Sequence, residues 1–322
     1  MEIAHEVSAP RVSVVIPTLN ARPHLPDLFR AFRDQRPTPP AEIILVDSGS
    51  RDGTLEHLAG IEGVRVVTIE HFTHGGARNL GVRESRGEFV VFLSQDALPA
   101  DERWLSHLLA PFAAPDVAAA FSRQRPRPDA SPMERHFLET HFPAGNPVLM
   151  RHRGAEQPVF QRDVFFSNVS AAVRREAALR HPFDEELIMS EDQQLARDLL
   201  LAGHAVAYAP SSEVLHSHNY TLRQAFERYF DSVYSLTKIF PHHDIGHSVS
   251  LGVGYLRREA VMMARRHPEH LPRYAGYVLA KSLGTLLGHY AERLPRSWAR
   301  RMSMHKAFWD RREDGRTGGK TW

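Results

Sequence analysis

Along the first 120 residues, short unbroken apolar runs alternate with stretches in which apolar residues recur every three or four positions. Val12–Ile16 (VSVVI), Glu42–Val46 (EIILV), Val64–Ile69 (VRVVTI) and Glu88–Leu93 (EFVVFL) are of the first kind. That is the pattern of strands buried on both faces of a parallel sheet. HLPDLFRAFRDQ, GTLEHLAG and GGARNLGVRESR, which lie between them, are of the second kind and predict helices. DERWLSHLLAPF, after Pro99, predicts another helix, and Val117–Phe121 another strand. The alternation predicts an α/β unit of nucleotide-binding type over about residues 11–122, built on a mostly parallel sheet.

Residues 123–163 break the rhythm with six prolines (126, 128, 132, 143, 147 and 158) and clustered Arg and His. They predict a long functional connection with a short helix around Pro132–Thr140. Regularity resumes in VFFSNVSAAVRR, in the helical SEDQQLARDLLLAG and in the strand-like AVAYAPSSEVL. From Thr221 the pattern is helical: 221–240, about 252–267, 271–292 and 297–311. REDGRTGGKTW then reads as a frayed tail.

Composition narrows the chemistry. Among 322 residues there is no cysteine, which excludes disulfides, thiol nucleophiles and thiolate metal sites. No run of 18 uncharged apolar residues is present, so no membrane-spanning helix is expected. MEIAHEVSAPR carries two acids and no apolar core, unlike a secretory signal, and predicts a cytoplasmic location. The net charge of +2 divides unevenly. Residues 251–322 hold 15 Arg and Lys against 6 Asp and Glu, a net of +9, which leaves −7 for residues 1–250. Basic amphipathic helices suit anionic lipid headgroups, so peripheral contact with the inner face of the membrane is expected there. The arginines are spread along helices without a recognised binding module, and no nucleic-acid partner is expected.

Ligands of parallel α/β sheets gather beyond the carboxyl ends of the strands. Three polar turns stand there: Pro17-Thr18-Leu19-Asn20, Asp47-Ser48-Gly49-Ser50 and Ser94-Gln95-Asp96. Each is also ordinary turn chemistry, and Asp52 or Ser50 would cap the helix after the second. Asp47 is placed to accept from the ring N–H of a pyrimidine. Asp96 is placed to hold a divalent cation that bridges phosphates. In His74-Gly75-Gly76-Ala77-Arg78-Asn79 the glycines would admit a ligand and Arg78 would meet a phosphate or base oxygen. Glu191 and Asp192 open a helix, where acids are favoured and where Ser190 with Gln193 would form a capping box. The same position suits a general base. His216 and His218 on an extended segment would point to opposite faces, so only one is expected to bind a given metal. There is no GxGxxG after the first strand, no P-loop and no HExxH, which argues against a dinucleotide dehydrogenase, a P-loop kinase and a zinc hydrolase. PTLNARPHL lacks the Gly-rich basic loop of a sugar-phosphate nucleotidyltransferase. A non-catalytic sugar-nucleotide scaffold is the remaining alternative.

Together VSVVIPTLN, IILVDSGSRDGT, FTHGGARNLGV, GEFVVFLSQDALP, FFSNVSAAVRR, MSEDQQLARDLLLAGH and VLHSHNYTLRQAFERYF resemble the bacterial family 2 glycosyltransferases of the GT-A fold. The rhamnosyltransferase-like subgroup is the nearest likeness, and AKSLGTLLGHYAERLPRSWARRMSMHKAFW is similar to its C-terminal region. The resemblance runs over about residues 11–310. It implies a mixed, mostly parallel sheet and a catalytic domain over 1–240, with nucleotide half 11–122 and acceptor half 123–240. A helical extension over 241–322 would follow. Pro17, Thr18, Asn20, Asp47, Ser48, Arg78, Gln95 and Asp96 would surround the nucleotide, and Asp192 would be the catalytic base. Asp96 and His216, or else His218, would hold Mg²⁺ or Mn²⁺. Glu191, Asn168, His218 and Arg123 would line the donor or acceptor pocket. The implied donor is a dTDP- or UDP-linked sugar, dTDP-L-rhamnose first, and the acceptor a glycan or lipid-linked oligosaccharide. Two departures stand out: Asp47-Ser48-Gly49-Ser50 replaces the family's DDGS, and Gln95-Asp96-Ala97 offers one carboxylate where DxD offers two.

Overall fold

The computed structural model describes residues 12–37, 39, 40, 42–151, 158–241 and 245–311, with backbone alone for 245–253. The predicted tail after residue 311 lies outside them. The apolar runs become β1 (Val12–Thr18), β2 (Glu42–Asp47), β3 (Val64–Thr68) and β4 (Phe89–Leu93), separated by α1 (Leu25–Arg33), α2 (Thr54–Leu58) and α3 (His74–Glu84). All four strands are parallel, in spatial order β3-β2-β1-β4. There follow β5 (Leu98–Pro99), α4 (Trp104–Leu109), β6 (Val117–Arg125), α5 (Pro132–His141), β7 (Val148–Arg151), β8 (Ser170–Arg174), α6 (Arg175–Arg180), α7 (Glu191–Leu201) and β9 (Ala205–Leu215). β8 lies antiparallel between β4 and β6, β9 runs parallel to β6, and β5 and β7 pair antiparallel with β9. The result is a nine-stranded mixed sheet, mostly parallel.

Because successive side chains in a strand point to opposite faces, the sheet carries two cores. Val15, Ile44, Val46, Phe92 and Phe121 fill one, and Val14, Ile16, Leu45, Val91 and Trp104 the other. Trp104 gives its indole N–H to Ser170 Oγ at 2.9 Å, so its polar edge is satisfied inside the core.

α8 (Leu222–Ile239), α9 (Ile245–Arg266), α10 (Leu271–His289), α11 (Arg296–Met302) and α12 (Lys306–Arg311) complete the chain. Phe230 and Tyr234 of α8 share a third core with Ala291, Ala299, Phe308 and Trp309, and Ile188, just before α7, joins it. The helix expected over 297–311 is two helices, broken where Asp231 accepts the backbone N–H groups of Met304 and His305 at 2.8 and 3.3 Å. β6 also runs four residues beyond the expected Phe121, and β7 falls inside the expected irregular connection. Among the described residues no helix is long and apolar enough to cross a membrane.

Candidate active site

The three polar turns form one continuous rim at the carboxyl edge of the sheet. Gln95 bridges to β1's exit: its Oε1 accepts from Leu19 N–H at 2.8 Å and its Nε2 donates to Leu19 O at 3.1 Å. Asn20 N–H donates to Ser50 Oγ at 2.8 Å, and Asn20 Oδ1 accepts from Arg51 N–H at 2.9 Å. Ser48 Oγ donates to Thr18 O at 3.0 Å. Pro17, half-buried, is the penultimate residue of β1. Asp47 corrects the expectation of a free base acceptor. Its Oδ1 takes the N–H groups of Gly49 and Ser50, both at 2.9 Å, and its Oδ2 takes the hydroxyls of Ser50 at 2.5 Å and Thr18 at 3.4 Å. The carboxylate's acceptor sites are occupied by its own turn and by Thr18. Gly53, not Asp52 or Ser50, is the N-cap of α2, although Asp52 Oδ1 accepts from Thr54 N–H at 3.1 Å.

Past β4, Asp96 meets both histidines. His216 Nε2 lies 3.6 Å from Asp96 Oδ1 and His218 Nε2 lies 3.7 Å from Oδ2, with the two rings 4.6 Å apart. The expectation of opposite faces fails because β9 ends at Leu215, so the strand's alternation does not extend to these residues. One ligand atom from each of the three residues fits within 4.8 Å. Burial holds His216 down to about 3 and lowers His218 as well, so both imidazoles are neutral at pH 7 and have a lone pair to give. Separations above 3.5 Å are too long for hydrogen bonds but leave room for an ion between the three groups. One carboxylate and two neutral imidazoles are a donor set that Mn²⁺ accepts, whereas Mg²⁺ prefers oxygen alone. Arg127 Nη2 donates to the Asp96 carbonyl, and a cavity of about 250 Å³ beside Asp96 is lined by Pro23, Asp27, Gln95, Arg127 and Pro128 among others.

The carboxylate pair sits on the same edge. Ser94 N–H donates to Val169 O at 2.9 Å, which brings Asn168 alongside the exit of β4. Asn168 then donates its N–H to Asp192 Oδ2 at 3.4 Å and its Nδ2 to Glu191 Oε1 at 3.5 Å. Glu191 is 5% exposed and pairs with Arg78 Nη1 at 2.9 Å. Burial opposes its charge, but Arg78 and then His74 outweigh that and hold Glu191 below the usual carboxylate range. Asp192, partly exposed, goes the other way: burial and the Glu191 charge push it up to about 7. Ser190 makes no side-chain cap and has φ 63°, so the expected capping box is absent. The acids at this helix start are held by Arg78 and Asn168 instead.

Arg78 is therefore neither an open phosphate contact nor a surface arginine. The glycines beside it likewise serve packing: a Cβ on Gly75 would meet Asp184 O at 2.6 Å. Asn79 fastens the same loop, donating to Phe183 O and Glu185 Oε1, both at 2.9 Å. Arg123 is committed elsewhere too, pairing with Glu213 at 2.6 Å and giving its Nε–H to Phe142 O at 3.1 Å. Sequence reasoning missed Gln124, Ser167, Arg127, His74 and His305. For Gln124 the signal was the alternation of Ser122 and Gln124 on one face, which continues β6. His305 approaches from the far end of the chain, its ring 5.1 Å from that of His74.

A family model described as glycosyl transferase family 2 matches residues 13–181. The chain is 32% identical over 305 residues to the O-antigen chain rhamnosyltransferase RfbN of Salmonella typhimurium, covering 93% of this chain and 96% of that one. To the O-antigen chain rhamnosyltransferase WbaN of Salmonella anatum it is 33% identical over 307 residues, covering 94% and 96%. Among solved structures, the mannosyltransferase PcManGT from Pyrobaculum calidifontis, in complex with GDP-Man and Mn²⁺, shares the fold with a TM-score of 0.54 at 18% identity, covering 98% of this chain and 89% of that one. Glucosyl-3-phosphoglycerate synthase from Mycobacterium tuberculosis, in complex with Mn²⁺, UDP and glucosyl-3-phosphoglycerate, does so with a TM-score of 0.52 at 20% identity, covering 74% and 82%.

Proposed function

The chain belongs to the family 2 glycosyltransferases, and from that premise we propose that it moves L-rhamnose from dTDP-L-rhamnose, with inversion, onto a glycan or lipid-linked oligosaccharide of a cell-surface polysaccharide. The likeness to two O-antigen chain rhamnosyltransferases over nearly the whole chain supports this sugar and this setting. The observation that carries the chemistry is that one sheet edge holds both a cation donor set and, beside it, a carboxylate raised to about 7.

In this reading the rim of Pro17, Thr18, Asn20, Ser48 and Gln95 receives the nucleotide, with Asp47 shaping the turn from within. Asp96, His216 and His218 would hold Mn²⁺, or Mg²⁺, and a bound cation neutralises charge that develops on the departing nucleoside diphosphate. Asp192 takes the proton from the acceptor hydroxyl as that oxygen attacks the anomeric carbon. Arg78 keeps Glu191 ionised, so the proton goes to Asp192 and not to its neighbour. Asn168 holds both carboxylates in place. The basic terminal helices meet the anionic inner face of the membrane, where a lipid-linked acceptor resides.

A thermal-shift screen of nucleotide sugars with Mn²⁺, followed by measurement of nucleoside diphosphate release, tests the assignment. The expected result is that dTDP-L-rhamnose stabilises the protein most and yields dTDP. Stabilisation by a UDP- or GDP-linked sugar alone would reassign the donor, and stabilisation by none would favour a scaffold.

A further inference from the structure

Gln124, near the end of β6, is buried against His216: Gln124 Oε1 and His216 Nδ1 are 3.1 Å apart, and the two residues are 6% and 8% exposed. The other end of the amide is engaged as well, with Nε2 donating to Ser167 Oγ at 2.9 Å. With Nε2 placed on the serine oxygen, the amide carbonyl faces the imidazole. A carbonyl at Nδ1 requires the proton to sit on Nδ1. The lone pair then lies on Nε2, the atom directed at Asp96. The opposite tautomer would present an N–H to the cation and could not bind it.

Ser167 has a second neighbour of consequence. Asn168, next in the chain, is the residue that donates to Asp192 and Glu191. One dipeptide thus reaches the imidazole through Gln124 on one side and the base carboxylates on the other.

We propose that Gln124 is a positioning residue that sets the His216 tautomer for cation binding, and that Ser167-Asn168 ties this ligand to the base. The proposal rests on reading Asp96, His216 and His218 as the cation site. Its test is Mn²⁺ alone, titrated into the full chain at pH 7.5, with free Mn²⁺ read by electron paramagnetic resonance. Gln124→Leu removes the acceptor and should weaken Mn²⁺ binding by about 10–100-fold. Gln124→Glu still accepts from Nδ1–H and should restore affinity to within about 3-fold of wild type, a rescue that a purely structural role would not give. Ser167→Ala, which deletes the hydrogen-bond partner of Gln124 Nε2, should weaken binding by about 3-fold or more. It carries the test if Gln124→Leu does not fold. Wild-type Mn²⁺ affinity in folded Gln124→Leu, or in Ser167→Ala, would overturn the proposal. If wild type itself binds no Mn²⁺, or His216→Ala binds it equally well, the cation site fails and the proposal fails with it.

Discussion

Glu191 and Asp192 are adjacent carboxylates with opposite fates, and the difference lies in what each one touches. Arg78 at 2.9 Å makes Glu191 an anion, and that anion, with burial, raises Asp192 to about 7. kcat/KM should therefore fall as pH drops through about 7 and level off above it, as expected of a base that must be deprotonated. A flat profile between pH 6 and 8 would contradict the assignment. The same shift has a sign in stability. Asp192 binds its proton more tightly folded than unfolded, so its contribution to stability is lost as pH rises from about 4 to about 7. Asp192→Asn should then raise the melting temperature at pH 8, by roughly 1–3 °C, and leave it nearly unchanged at pH 4. Equal melting temperatures at pH 8 would sink that account. Little of this was legible in the sequence. A carboxylate at a helix start reads as a cap or as a base, and only the fold brings Arg78 to it. Asp47 misleads in the other direction, since its position at a strand end says nothing of the three donors that its own turn supplies or of the fourth from Thr18.

Elements were legible where burial is symmetric. β1, β2 and β4 are sandwiched between two cores, so their residues are apolar without interruption and the runs announce themselves. β6 was read short because its last residues, Ser122-Arg123-Gln124-Arg125, are polar. The segment pairs with β9, and from it Gln124 reaches His216 of the site. β7 was missed because three of its four residues are exposed. The C-terminal helices were legible as helices but not as partners. α10 lies so close to α8 that a Cβ on Gly288 would collide with Phe230 O and lie 3.0 Å from Phe230 Cα. That obstacle is backbone and cannot rotate away, so Gly288→Ala should cost about 1–3 kcal/mol. Gly254, in α9, has open space where its Cβ would go. Gly254→Ala should instead gain about 0.5–1 kcal/mol from helix propensity. Urea midpoints of the two variants decide the matter, and equal midpoints would refute the close packing.

Across the whole molecule, the uneven charge acquires a shape. α9 to α12 are basic, yet they are not an appendage. Phe308 and Trp309 share a core with Ile188, two residues before the loop end that leads to Glu191, and Arg311 donates to Phe72 O at 2.9 Å beside α3. Leu279, Leu283 and Leu286 follow one another along one face of α10 and remain 59%, 43% and 51% exposed. An apolar stripe on a basic region suits an anionic bilayer. The full chain should therefore sediment with vesicles containing phosphatidylglycerol and not with phosphatidylcholine alone, and Leu283→Glu should reduce binding without loss of fold. Absence of binding to either vesicle would end the membrane reading. The central claim is narrower: sugar transfer by this edge of the sheet, with Asp192 as its base. It is tested most directly by single-turnover transfer from dTDP-L-rhamnose in the presence of Mn²⁺, comparing wild type with Asp192→Asn. The account predicts a rate lower by about 10²–10⁴-fold with dTDP affinity unchanged, and transfer by Asp192→Asn at the wild-type rate would contradict it.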